Sequence, residues 1–116
     1  MAEITILHNP RCSTSRAALA AAEGLEVEVV DYQKQPLDEA GWLHLLGILE
    51  DSPSDLVRRD KRFSELGLTD DEVTTAEQVA ALLAEHPALA QRPVLIRGDR
   101  AIIGRPKDRV PGFLVG

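Results

Sequence analysis

One sulfur atom sets the chemistry open to this chain. Cys12 is its single cysteine, so no internal disulfide can form and disulfide chemistry must take its second sulfur from another molecule. Around it stand His8, Asn9, Pro10 and Arg11 on one side and Ser13, Thr14, Ser15 and Arg16 on the other. The β-branched run Ile4-Thr5-Ile6 ends at Leu7, Asn9-Pro10 signals a turn, and the hydroxyl residues precede the alanine-rich segment 17–22. That order predicts strand, tight turn and helix, with Cys12 at or just before the helix N-terminus and Gly24 at C′. Free backbone N–H groups and the positive end of the helix dipole favour a thiolate there and can hold an oxyanion. A lone cysteine is most often an inert, buried hydrophobe. One with polar neighbours on both sides, in a turn between regular elements, reads instead as a reactive thiol.

A thiolate nucleophile needs a lowered pKa. The Ser13 and Ser15 hydroxyls and the Arg11 and Arg16 charges are candidates for lowering it. His8 can hydrogen-bond within the turn, or its ring can simply fill space at the strand end. Arginine suits a tetrahedral oxyanion, because its planar fork donates two parallel hydrogen bonds and stays charged. Arg58 closes an apolar turn, Arg92 precedes Pro93 at a strand start, and Arg105 follows the strand-ending Gly104. Each alone reads as a surface arginine, and spacing does not bring them together. Rival motifs fail. A Cys-x-x-Cys dithiol needs a cysteine where Ser15 stands, and a Cys-x5-Arg phosphatase loop needs an arginine where Ala18 stands. No cysteine–histidine cluster has zinc spacing, and no glycine-rich phosphate loop occurs.

The elements that must position these residues follow from patterning. A chain of 116 residues predicts one domain, and its hydrophobic fraction of 44% is enough for a globular core. With aromatics at 3%, that core must rest on Leu, Val, Ile and Ala. A net charge of −6 argues against general nucleic-acid binding. No run is long and apolar enough for a membrane span and no signal peptide is evident, so a soluble cytoplasmic protein is expected.

Leu25 to Tyr32 alternates as a strand with one buried face. Asp38 is a candidate cap for a helix carrying Trp42, Leu45, Leu46 and Leu49, and residues 55–58 form a short helical piece. The charge-dense run Arg58–Arg62 reads as a solvated face. Thr74 and Thr75 stand at capping-box spacing from Glu77 and Gln78, ahead of a helix ending before His86-Pro87. Val94–Ile96, the turn Gly98-Asp99 and Ala101–Ile103 predict a β-hairpin. Pro106 is suited to the first position of a last helix, which Pro111-Gly112 should cut short. The order β-α-β, helical middle, β-β-α is compatible with one mixed sheet covered by helices.

The stretch His8-Asn9-Pro10-Arg11-Cys12-Ser13-Thr14-Ser15-Arg16 resembles the active-site signature of the glutaredoxin-linked arsenate reductase (ArsC) family: His, three residues, Cys, three residues, Arg. The likeness continues in order through Leu56-Val57-Arg58, Glu65-Leu66-Gly67-Leu68, Glu85-His86-Pro87, Gln91-Arg92-Pro93-Val94 and Ile103-Gly104-Arg105-Pro106. It implies an α/β thioredoxin-like domain over residues 1–116, with a mixed four-stranded sheet, flanking helices and a helical insertion at about 38–90. By the same resemblance Cys12 is the nucleophile, His8 and Ser15 help activate it, and Arg16 closes the motif. Arg58, Arg92 and Arg105 match oxyanion-binding arginines, and Pro93 a cis-proline beside the site. The implied substrate is arsenate, attacked by Cys12. Glutathione is the co-substrate and glutaredoxin the partner that completes reduction to arsenite. No bound cofactor or metal, no nucleic acid and no membrane are implied, and a monomer is expected. Two other functions compete. One is a related thiol reductase with a different substrate. The other is a redox-responsive regulator binding RNA polymerase, against which Ser15 argues because such regulators often carry a Cys-x-x-Cys switch.

Overall fold

The computed structural model describes residues 4–106 and 108–115. The chain divides into two compact units, residues 1–35 with 92–116, and residues 36–91.

In the first unit, β1 (Ile4–His8), α1 (Ser13–Ala21) and β2 (Val27–Asp31) are followed, after the second unit, by β3 (Val94–Arg97), β4 (Arg100–Ile103) and α5 (Arg109–Val115). Among the described residues four strands form one sheet in the order β2-β1-β3-β4. β1 runs parallel to β2, with His8 opposite Asp31, and antiparallel to β3; β3 and β4 form the hairpin. Its two-residue turn is Gly98-Asp99, and Gly98 adopts φ +61, a backbone state that favours glycine. Strand alternation sends Ile4, Ile6, Leu95 and Ile102 to one face, where they pack with Ala18 and Ala22 and with Val110, Phe113 and Leu114. Leu7, Val94, Ala101 and Ile103 are buried as well. The mixed sheet with its helices is the thioredoxin-like arrangement that the resemblance implied.

Two expectations change in this unit. β2 is an edge strand, and none of its residues is buried, with Val29 at 42% exposure. An alternating pattern cannot distinguish an edge strand from one that is packed on a face. α5 begins at Arg109, so Pro106 lies ahead of the helix, and Pro111-Gly112 lies inside it. Pro111 is the third helical residue, where its missing N–H removes no intrahelical bond.

The second unit is helical: α2 (Glu39–Ile48), α3 (Lys61–Glu65) and α4 (Ala76–Glu85), joined by 3₁₀ turns. The Asp38 side chain caps α2 by accepting the Gly41 N–H at 2.8 Å. Thr75 and Gln78 form the predicted capping box of α4. Trp42, Leu45 and Leu46 of α2 and Val79, Ala80 and Leu83 of α4 are buried. One expectation fails here too. The helical piece at 55–58 is a 3₁₀ turn over Pro53–Leu56, after which Val57 pairs with Ala90 in an antiparallel bridge. The run Arg58–Arg62 is exposed or half-buried, as a solvated face should be, and it also bonds nearby chain. Asp60 accepts the Phe63 N–H at 3.2 Å to cap α3, and Arg59 donates to the Ser54 and Val57 carbonyls and to Asp70.

Candidate active site around Cys12

Cys12 is the N-cap of α1, in extended conformation. The turn that delivers it is closed by the Cys12 N–H donating to the Asn9 carbonyl at 3.0 Å. The Asn9 side chain accepts the Arg11 N–H at 3.0 Å, a turn in which an Asx side chain mimics backbone. Arg16, exposed on α1, reaches back and donates to the Pro10 carbonyl at 2.8 Å. The first free N–H groups of α1 are therefore presented at the sulfur.

Beneath this turn Ser15 is fully buried, and Asn9 is buried at 5% exposure. The Ser15 hydroxyl lies 2.8 Å from His8 Nδ1 and accepts the Asn9 N–H at 2.9 Å. His8 at the end of β1 is thus tied to the first turn of α1. What Ser15 brings to the thiol is its backbone N–H. Burial lowers the His8 pKa and the Arg16 charge lowers it further, against the opposing effects of the Asp31 carboxylate and the Ser15 backbone. The net shift is downward, and the imidazole is neutral at neutral pH.

Two arginines reach Cys12 from the other side of β1. Arg105, following β4, donates from Nη2 to Sγ at 3.2 Å and from Nε to the Arg92 carbonyl at 2.7 Å. The Arg92 side chain also hydrogen-bonds the thiol. The peptide bonds Arg92–Pro93 and Arg105–Pro106 are both cis, and the Gly104 N–H donates to the Pro93 carbonyl at 2.8 Å. Partial burial pushes the Cys12 thiol up. The Ser15 N–H, the Arg92 side chain, the Thr14 N–H and the Arg105 charge together outweigh it, so the thiol sits below its ordinary value.

Of the residues singled out from sequence, the structure gathers Cys12, His8, Ser15, Arg16, Arg92, Pro93 and Arg105 in the first unit. Arg58 belongs to the second unit. There its N–H donates to the Leu89 carbonyl at 2.8 Å and its guanidinium lies 3.7 Å from Asp60. From sequence Asn9 reads only as a turn signal, and Arg109 carries no motif. Arg109 donates to the Ile103 carbonyl at 3.0 Å and the Arg105 carbonyl at 3.3 Å, fixing the segment that carries Arg105. Asn before Pro is a readable Asx-turn signal, whereas nothing local marks Arg109. Among the described residues no group of three or more His, Cys, Asp or Glu side chains could hold a metal ion. No described helix is long and apolar enough to cross a membrane.

The arrangement is a thiol whose ionised form is favoured by helix N–H groups and by guanidinium donors beside it. It can attack an electrophile while the arginines hold negative charge next to the sulfur. Comparison with known proteins points the same way. The chain is 38% identical to an arsenate reductase of Neisseria meningitidis, over 98% of this chain and all of the other. It is 37% identical to the uncharacterized protein YfgD of Escherichia coli, over 93% of each chain. The solved arsenate reductase from Vibrio cholerae superposes with a TM-score of 0.79 at 30% identity, over 95% of this chain and 97% of that one. The sequence model of the ArsC family matches residues 7–113, from the end of β1 into α5, and the chain belongs to the ArsC family.

Proposed function

We propose that this protein is an arsenate reductase that takes its electrons from glutathione and glutaredoxin. The observation that carries this reading is the Arg105 guanidinium 3.2 Å from Cys12 Sγ, locked by its second bond to the Arg92 backbone. A thiolate meeting a dianion is opposed by charge repulsion. Preorganised guanidinium donors offset it without reorganising during the reaction.

The Cys12 thiolate attacks arsenic, a sulfur–arsenic bond forms, and an arsenate oxygen leaves as water after protonation. A glutathione thiolate attacks the Cys12 sulfur, a disulfide forms, and the sulfur–arsenic bonding pair passes to arsenic. Arsenic(V) leaves as arsenic(III), and the two sulfurs have supplied the two electrons. A glutaredoxin thiolate attacks the glutathione sulfur of the mixed disulfide and releases Cys12 as thiolate. Arg92 and Arg105 hold the oxyanion throughout. His8 and Ser15 act by fixing the turn that presents Cys12. Arg58 is assigned the oxyanion-binding role on its motif alone.

The test is a coupled assay of NADPH oxidation with glutathione, glutathione reductase and glutaredoxin. Arsenate-dependent turnover that disappears in Cys12→Ser is expected. No arsenate dependence, or retained turnover in that variant, overturns the reading.

A further inference from the structure

We propose that a polar cavity beside the Cys12 turn docks the glutathione that attacks the Cys12 adduct, an inference that rests on the reductase reading above. The cavity has a volume of about 320 Å³ and is lined by Asn9, Pro10, Arg11, Asp31, Gln33 and Lys34. Small-ligand pockets begin at about 300 Å³, so a tripeptide is near the upper limit of what it holds.

Two turns form its walls, and each is held by a backbone–backbone bond and by a backbone N–H donating to an Asx side chain. One is the Asn9–Arg11 segment already described. The other follows β2, where the Gln33 N–H donates to Asp31 Oδ1 at 3.1 Å and the Lys34 N–H to the Asp31 carbonyl at 3.0 Å. The parallel register of β1 and β2, with His8 opposite Asp31, sets these turns side by side.

The lining is zwitterionic. Arg11 and Lys34 bring two cations, Asp31 one carboxylate, and Asn9 and Gln33 two amides. Glutathione at neutral pH carries the complementary set: two carboxylates, one ammonium and two amides. On a chain of net charge −6 this recess is a local excess of positive charge. A bare oxyanion such as arsenate would gain nothing from the Asp31 carboxylate, whereas the γ-glutamyl ammonium would.

Position supports the same occupant. Arg11 is bonded to Cys12, so their Cα atoms are about 3.8 Å apart, and an extended tripeptide spans about 10 Å. The sheet order places β2 on one side of β1 and β3 with β4 on the other. Arg92 and Arg105 flank β3 and β4, while Asp31, Gln33 and Lys34 follow from β2. Displacement at sulfur is collinear, with the entering thiolate opposite the leaving group. An oxyanion held by the arginines and a glutathione held in the cavity would approach Cys12 from opposite sides.

The test uses the full-length protein with S-methylglutathione, which cannot form a disulfide, titrated by calorimetry or saturation-transfer NMR. Binding to the wild type is expected, weakened about fivefold by Arg11→Ala or Lys34→Ala and about twentyfold by both. In the coupled assay KM for glutathione should rise by the same factors, and in Lys34→Ala KM for arsenate and Cys12 alkylation should be unchanged. With 2-mercaptoethanol as the attacking thiol, Lys34→Ala and wild type should match. No S-methylglutathione binding by the wild type, or equal binding by the double variant, overturns the proposal. Should the wild type bind S-methylglutathione but reduce no arsenate, the arsenate reading fails and the binding arm still decides the cavity.

Discussion

Arg105 and Cys12 lie 93 positions apart in the chain and meet at 3.2 Å, Nη2 to Sγ. The guanidinium is held from behind by its 2.7 Å bond to the Arg92 carbonyl, and its own carbonyl is held by Arg109. A charge fixed at both ends acts on the sulfur before any substrate arrives, and the chemistry expected of the site follows from that.

The Cys12 thiol should titrate below the ordinary value of about 8.5. Burial acts against this, and the Ser15 N–H, Arg92, the Thr14 N–H and Arg105 prevail. Thiolate absorbance against pH gives the midpoint, and Arg105→Ala should move it up. A wild-type midpoint at or above the ordinary value would refute the assignment. Because the folded value is the lower one, this group adds stability that is complete above the unfolded pKa. That stability is lost as pH falls through the folded pKa.

Arg92→Lys and Arg105→Lys keep the charge and lose the fork. Replacement of a charged donor by alanine at either position should remove about 2–4 kcal/mol of transition-state stabilisation for arsenate, and the lysine variants somewhat less. Arg58→Ala should also lower kcat/KM for arsenate. The control is alkylation of Cys12 by a neutral reagent at a pH where the thiol is fully ionised in every variant. Equal losses in arsenate turnover and alkylation would mean general damage and not loss of oxyanion binding.

Ser15→Ala removes the acceptor of the buried Asn9 N–H and the partner of His8 Nδ1. Leaving such a donor unsatisfied costs about 1–3 kcal/mol, to be read from a urea unfolding curve. An unchanged midpoint would show that Ser15 does not hold the turn.

His8 should protonate only below the ordinary histidine value of about 6.5, chiefly because it is buried. An NMR titration of its ring protons measures this. The unfolded chain takes up the proton first. The contribution of His8 to stability therefore falls as pH drops from the unfolded pKa to the folded one. A midpoint at or above 6.5 would reject the neutral imidazole.

Gly104→Ala should destabilise the fold by about 1–3 kcal/mol, as overpacking does. A Cβ there would stand 2.8 Å from Pro93 Cγ, 3.1 Å from Leu95 Cδ1 and 3.2 Å from Val110 Cγ2. The Pro93 ring cannot swing aside, so the segments carrying Arg92 and Arg105 must part. Thermal unfolding and arsenate kcat/KM should both fall, and an alanine variant with wild-type values in both would disprove the contact.

Local structure is legible in the residues alone. The strand–turn–helix around Cys12 follows from a β-branched run, Asn9-Pro10 and an alanine-rich segment. Asp38 and Thr75 announce their helices, because a cap bonds within three residues of itself. Gly98-Asp99 fixes the hairpin for the same reason. The edge position of β2 lay outside that range, since it depends on which strands pair far along the chain. So did the site. By spacing alone Arg58, Arg92 and Arg105 each look like surface arginines, and the sheet order β2-β1-β3-β4 carries the β3 and β4 ends, with Arg92 and Arg105, to the Cys12 turn. Hydrogen-bond chemistry can be read from residue type, but which donor meets which acceptor is decided by packing, and packing couples residues that sequence spacing leaves independent.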